Sequence, residues 1–240
     1  MSEWFERFDD RLWLRPDEGA EMDARIVCRA LGLARGQRVL DAPCGAGRIT
    51  VHLARMGCRV TGIDRNRRFL ARARQRFGRE GLWGRFRRMD LRRLDVAGRF
   101  DAIVNWFGSF GYFSDGENAD LVRRFARALR PGGRLLIEGI HREWVLRHFR
   151  GHIRIADARR NVAITNRWDG RTQRINSRWL LDTGRGHKRC VSSMRLYTPA
   201  QFRRLFEQAG LTVETMVDSV AGGPFTRRSH RLAVVGRKPR

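Results

Sequence analysis

The stretch Val39-Leu40-Asp41-Ala42-Pro43-Cys44-Gly45-Ala46-Gly47-Arg48 decides the architecture. A short apolar run closes on an acid, a Gly-x-Gly turn follows, and a helical pattern begins just beyond it. Such a turn presents bare backbone N–H groups at a helix N-terminus, outside the carboxyl end of a strand. In an open α/β sheet that is where a nucleotide-like ligand sits. A dinucleotide fingerprint needs G-x-G-x-x-G, and here Thr50 stands in place of the third glycine. The phosphate-loop spacing G-x-x-x-x-G-K-[ST] is absent as well. Asp41, at the strand tip before the first glycine, suits a cationic ligand better than a pyrophosphate.

Four further runs follow in order. Arg59-Val60-Thr61-Gly62-Ile63-Asp64 is a second apolar strand closing on an acid. Asp64 lies about 20 residues past the turn, the separation expected of a ribose-binding carboxylate on the next strand. Asn66 reads as the N-cap of the following helix. Arg87-Arg88-Met89-Asp90-Leu91 carries a third acid, and Phe100-Asp101-Ala102-Ile103-Val104-Asn105-Trp106-Phe107 a fourth strand. In Leu129-Arg130-Pro131-Gly132-Gly133-Arg134-Leu135-Leu136-Ile137, Pro131-Gly132 ends a helix and turns the chain into a fifth strand.

Taken together, these runs resemble the class I S-adenosylmethionine (SAM) methyltransferases, whose first motif reads strand, D/E-x-x-C/G-G-x-G, helix. The resemblance is firm over residues 35–140 and looser through Arg195-Leu196-Tyr197-Thr198-Pro199 and Gln208-Ala209-Gly210-Leu211. It implies SAM as cofactor, leaving S-adenosylhomocysteine as product. It also implies a cofactor site of Asp41, Cys44, Gly45, Gly47, Asp64, Asp90, Leu91, Asn105 and Trp106, with Asp90 on the adenine amino group. Cys44 reads as a small apolar residue in the turn rather than a nucleophile.

The implied fold is α/β: a Rossmann-like, doubly wound, mostly parallel seven-stranded sheet, with an antiparallel β insertion capping the substrate side. Strands near 38–41, 59–63, 83–89, 100–106 and 134–139 alternate with helices near 47–56, 66–78 and 117–130, the pattern of a parallel sheet covered on both faces. Four segments follow. Residues 1–34 form a helical cap that either folds over the cofactor as a lid or docks passively; its helix 18–33 places Met22, Ile26, Ala30 and Leu33 on a core stripe. Residues 35–150 form the SAM-binding core. Residues 151–197 form the insertion, with a hairpin signal at Asp169-Gly170. Residues 198–240 complete the sheet, opening with a capping box at Thr198-Pro199-Ala200-Gln201.

The composition bounds partners and compartment. The 240 residues carry a net charge of +25, and only Lys188 and Lys238 among the 50 basic residues are lysine. So strong a skew points to arginine-favouring codons, and the charge itself favours polyanions such as RNA. No 18-residue apolar run and no signal-type apolar core are present, so the chain reads as cytoplasmic and off the membrane, and the resemblance implies a bacterial protein. The four cysteines lack metal-ligand spacing, so no metal is expected. A homodimer is compatible with this reading.

Methyl transfer is an in-line displacement, so the acceptor must be held against the methyl and water excluded. The carboxyl ends of the fourth and fifth strands are the place for that. His141 is the candidate general base and Tyr112 the candidate orienting donor. Trp4, Phe8, Trp13, Ser109, Phe110, Trp144 and Tyr197 are the candidate substrate contacts. The aromatic run interrupted by glycine and serine, Phe107 to Phe113, suits a flat apolar acceptor. It resembles loops of bacterial natural-product methyltransferases acting on oxygen, nitrogen or ring carbon, indoles included. Two alternatives compete. One is an RNA methyltransferase, although Asn105-Trp106-Phe107-Gly108 lacks the prolines of the N/D-P-P-[YFW] motif. The other is a non-catalytic SAM-binding module.

Overall fold

The computed structural model describes residues 18–157, 160–182, 184 and 186–240. Trp4, Phe8 and Trp13 lie outside the described residues, as does half of the proposed cap, residues 1–17.

The elements in chain order are α1 (Ala20–Leu31), β1 (Arg38–Asp41), α2 (Thr50–Arg55), β2 (Arg59–Asp64), α3 (Arg67–Arg79), β3 (Gly84–Arg88), a 3-10 turn (Leu91–Arg93), β4 (Phe100–Asn105), α4 (Asp115–Ala128), β5 (Leu129–Ile140) and α5 (Arg142–Arg147). Then come β6 (His152–Asp157), β7 (Arg160–Asp169), β8 (Arg174–Asp182), β9 (His187–Arg195), α6 (Pro199–Gln208), β10 (Thr212–Asp218) and β11 (Arg231–Arg237). The main sheet has seven strands in the order β10-β11-β5-β4-β1-β2-β3. Its five central and edge strands β5, β4, β1, β2 and β3 run parallel, and β11 and β10 close it antiparallel. Strand order reverses between β1 and β4, which opens a crevice above their carboxyl ends. A separate four-stranded antiparallel sheet, β6-β7-β8-β9, is inserted between β5 and β10.

Local sequence explains the caps. Asn66 accepts from the N–H groups of Arg68 and Phe69 at 2.9 and 3.3 Å, fixing the start of α3. Ser114 with Glu117, and Thr198 with Gln201, form reciprocal capping boxes on α4 and α6. Along α1, Ala20, Ala24, Ile26, Val27 and Leu31 are buried, and Ala30 and the following Leu33 pack against the same core; of the expected stripe only Met22, 59% exposed, points away. Strand β5 starts five residues earlier than expected, because Leu129 already pairs with Phe100 and Gly132 N–H bonds the carbonyl of Lys238. No helix among the described residues is long and apolar enough to cross a membrane.

Under α6, the ring of Phe202 packs against Phe110 and Tyr197 at centroid distances of 5.8 and 5.2 Å. Gly139 of β5 leaves room for it: a Cβ there would lie 2.8 Å from Phe202 Cζ. Gly139→Ala is therefore expected to lower stability by about 1–3 kcal/mol through overpacking, read as an earlier urea midpoint at unchanged m. An unchanged midpoint would show that α6 yields freely.

Candidate active site

The turn after β1 is fixed on both flanks. Ala42 N–H bonds Val104 O at 2.9 Å and Cys44 N–H bonds Ile63 O at 2.9 Å, while Asn105 Nδ2 donates to Ala42 O at 2.6 Å. Gly45 and Gly47 both adopt left-handed φ, 54° and 76°. A Cβ on Gly47 would come within 3.1 Å of Ala73 Cβ, so this glycine lets α3 approach the turn. Asp64 at the tip of β2 accepts from Gly45 N–H at 3.0 Å and from Asn66 N–H at 2.8 Å. One carboxylate thereby joins the first turn to the second.

A cavity of about 800 Å³ opens over these turns. Asp41, Cys44, Gly45, Asp64, Asp90, Leu91 and Trp106 lie on its wall, with Ser109 and Tyr112 from the loop after β4. Gly47 and Asn105 stand behind that wall, held by the packing and hydrogen bond just described. Lys188 of β9 reaches the same cavity, which brings the second sheet to its acceptor side. The backbone ties that sheet down: Arg195 N–H bonds Gly111 O at 2.8 Å.

Four residues expected on the acceptor side are elsewhere. His141 is buried off the cavity, with Nδ1 2.8 Å from Ser229 O, Nε2 2.9 Å from Glu143 Oε2, and Phe225 edge-on against its ring. Helix α5 turns away at the end of β5 and carries Trp144 with it, between the rings of His148 and His230. Phe110 and Tyr197 point into the core around Phe202. The sequence placed all four near the right strand ends. It could not show on which side of those ends the chain would turn.

The electrostatics of the wall are uneven. Asp41 is buried, accepts from Thr50 Oγ1 through Oδ2, and leaves Oδ1 without a partner among the described residues. Burial, and secondarily the charge of Asp64, push its carboxyl up to about 7 against the Thr50 bond. Burial likewise raises Asp64. Asp90 is lowered, chiefly by Arg92, whose Nε and Nη2 fork its two oxygens at 3.1 and 2.7 Å. Arg92 also bonds Glu117 at 2.9 Å and lies over the Phe113 ring. The Cys44 thiol is pushed well above its ordinary range by burial, as a packing residue requires.

The residues that sequence reasoning missed cluster under Phe107. This non-glycine residue has φ 68°, a conformation costing about 1–3 kcal/mol. Its ring lies between two guanidiniums, Arg48 at 4.5 Å and Arg231 at 5.4 Å. Arg48 pairs with Asp23 of α1. Arg231 pairs with buried Glu138, which also accepts from Gly108 N–H at 2.6 Å and Ser219 Oγ at 3.1 Å. Only the Phe-Gly step after a strand hinted at this; the partners come from β5 and β11, far along the chain.

Asp41, with its unpartnered buried oxygen, borders a cavity that a cation would fit, and each carboxylate oxygen of Asp64 has accepting capacity beyond its backbone bond. The sequence profile of the methyltransferase domain family matches residues 39–133. The SAM-bound structure of CalS10, an amino pentose methyltransferase from Micromonospora echinaspora, superposes with a TM-score of 0.64 at 25% identity, covering 92% of this chain and 91% of that one. A methyltransferase domain of the class I SAM-dependent type spans residues 39–133 of the chain. SAM is the cofactor of this family. A demethylmenaquinone methyltransferase of Tropheryma whipplei is 37% identical over 118 residues, 47% of this chain and 46% of the relative. The chain thus spans about half the length of that relative. A dTDP-3-amino-3,6-dideoxy-alpha-D-glucopyranose N,N-dimethyltransferase of Streptomyces fradiae is 29% identical over 199 residues, 79% of this chain and 74% of the relative.

Asp41 gives a pH signature. Its carboxyl titrates near 7 in the folded protein against 3.8 ordinarily, so the folded state holds an extra proton between those values. The stability it contributes is complete below the ordinary value and is lost as pH rises through about 7. Relative to Asp41→Asn, the wild type is therefore expected to lose Tm between pH 5 and pH 8 in scanning calorimetry. Parallel pH curves for the two proteins would contradict the assignment.

Proposed function

We propose that this chain transfers a methyl group from SAM to an aromatic or heteroaromatic small molecule by in-line displacement. The observation that carries the reading is an aromatic wall, Trp106, Phe107, Tyr112 and Phe113, facing the acid-bearing strand tips across one cavity. Asp41 would hold the ammonium of the cofactor, Asp64 its ribose hydroxyls, and Asp90 with Leu91 its adenine. SAM supplies an electrophilic methyl on a positively charged sulfur that leaves without protonation. The protein's task is then to orient the acceptor and keep water out.

Tyr112 bears on the choice of acceptor. Burial pushes its hydroxyl up to about 12, with Arg231 pulling weakly the other way. It is a neutral phenol at physiological pH, able to donate a hydrogen bond but unable to take a proton. No histidine lies on the cavity wall among the described residues. An acceptor needing no prior deprotonation fits this wall best, which favours an aromatic nitrogen; oxygen or ring carbon are the other outcomes of the test. The Streptomyces fradiae relative, named for N-methylation of an amino sugar, is compatible with nitrogen.

Calorimetry with SAM and S-adenosylhomocysteine, followed by turnover with panels of aromatic amines, phenols and indoles, tests the reading. Asp64→Ala is expected to weaken SAM about 10- to 100-fold, the effect of losing one or two hydrogen bonds. Tyr112→Phe is expected to leave SAM affinity intact and to lower kcat/KM about tenfold. No heat with either adenosyl compound would end the proposal. Binding with no turnover on any panel would favour the non-catalytic alternative.

A further inference from the structure

The β3 edge of the main sheet has a chemistry that small-molecule methylation does not use. Among the described residues strand β3 bonds only to β2, which leaves its outer edge without a strand partner there. Residues 65–88 carry ten arginines and one acid, Glu80, and Glu80 is already paired with Arg55 at 2.7 Å. Trp83 opens the strand 65% exposed, with the Arg85 guanidinium over its ring at 5.4 Å. Arg85 and Arg87 alternate onto the face opposite Phe86, whose ring packs edge-on against Phe77 of α3. On the α3 face, a hollow of about 470 Å³ is bounded by Arg67, Arg74 and Arg88. Arg74 and Arg88 are steered there by backbone carbonyls, Phe86 O at 2.7 Å and Arg65 O at 3.1 Å. Those partners are neutral and leave the positive charge intact. Arg67 and Arg88 also line the cofactor cavity, so the strip runs into its mouth.

We propose that this edge, from Trp83 along β3 to Arg88 and the hollow beside α3, binds single-stranded nucleic acid. An exposed indole offers a stacking platform for a base, and the arginines along the strand meet successive phosphates. A second copy of the chain is a poor occupant, because edge-to-edge pairing would set arginine against arginine. The inference is independent of the methyl acceptor: it concerns binding and does not require that the bound strand be the substrate.

The test is fluorescence anisotropy of labelled single-stranded RNA, single-stranded DNA and duplex DNA across 50–300 mM salt, with anionic vesicles as a further arm. The expected result is tighter binding of single strands than duplex. The expected slope of log K against log[salt] is about −3, as for some four phosphates neutralised on a single strand. Trp83→Ala is expected to weaken single strands at least about fivefold, through lost stacking. Arg85→Gln with Arg87→Gln should flatten the slope by about 1.4. SAM affinity serves as the check that each variant is folded. The control is Arg203→Gln with Arg204→Gln, exposed arginines on distant α6. If that control costs as much as the β3 pair, or if duplex or vesicles bind as well as single strands, the binding is diffuse charge attraction and the proposal is wrong. Loss of SAM turnover with nucleic-acid binding intact would count against the methyl-transfer reading alone.

Discussion

The carboxylate of Asp64 is the tie on which the donor half of the crevice depends. It receives the N–H of Gly45 from the first turn and that of Asn66 from the second. Two loops that would otherwise move separately share one acceptor. Because the group is buried, its charge is poorly solvated, and it borders the cavity with accepting capacity beyond its backbone bonds. A hydroxyl-bearing ligand completes what the backbone begins. Asp41, one strand over, has the complementary character: a buried oxygen with no partner and a raised proton affinity, which a positive ligand would relieve.

The acceptor half is built differently. Its aromatic wall rests on Phe107, held in a left-handed conformation between two guanidiniums, and on Gly108, whose N–H is taken by Glu138. A single buried ion pair, Glu138 with Arg231, lies beneath this loop. Burial makes such a pair more useful for fixing geometry than for adding net stability. The second sheet then reaches the cavity through Lys188 and anchors to the loop at Gly111.

Legibility in the sequence followed range of interaction. Asp41 and Asp64 end strands whose hydrophobic runs are local, so their places were readable from the residues beside them, whereas Asp90, two residues past the arginine-rich β3, was placed by the family resemblance. The caps at Asn66, Ser114 and Thr198 were readable from the residues beside them too. Gly47 was assigned to the cofactor, whereas it serves the approach of Ala73, a contact 26 residues away that no local pattern encodes. His141, Phe110 and Trp144 were placed by strand-end position alone, and Tyr197 by the resemblance of the Arg195–Pro199 run. Whether a side chain at a strand end turns toward the crevice or into the core depends on the next element. Here α5 and α6 direct all four away. The roles of Arg48 and Arg231 were not legible because arginine is so abundant in this chain that no single one stands out, and the pairing of Glu138 with Arg231 was not because it joins residues 93 apart.

The brace beneath Phe107 also gives the two sides of the crevice different dependence on distant contacts. The three acids lie within residues 41–90, and the turn after β1 is held by its neighbours Ile63, Val104 and Asn105. The loop bearing Phe107 is instead anchored through Glu138 to Arg231 of β11, a closure of 93 residues. Loosening β11 would therefore slacken the aromatic side of the crevice before the acidic side.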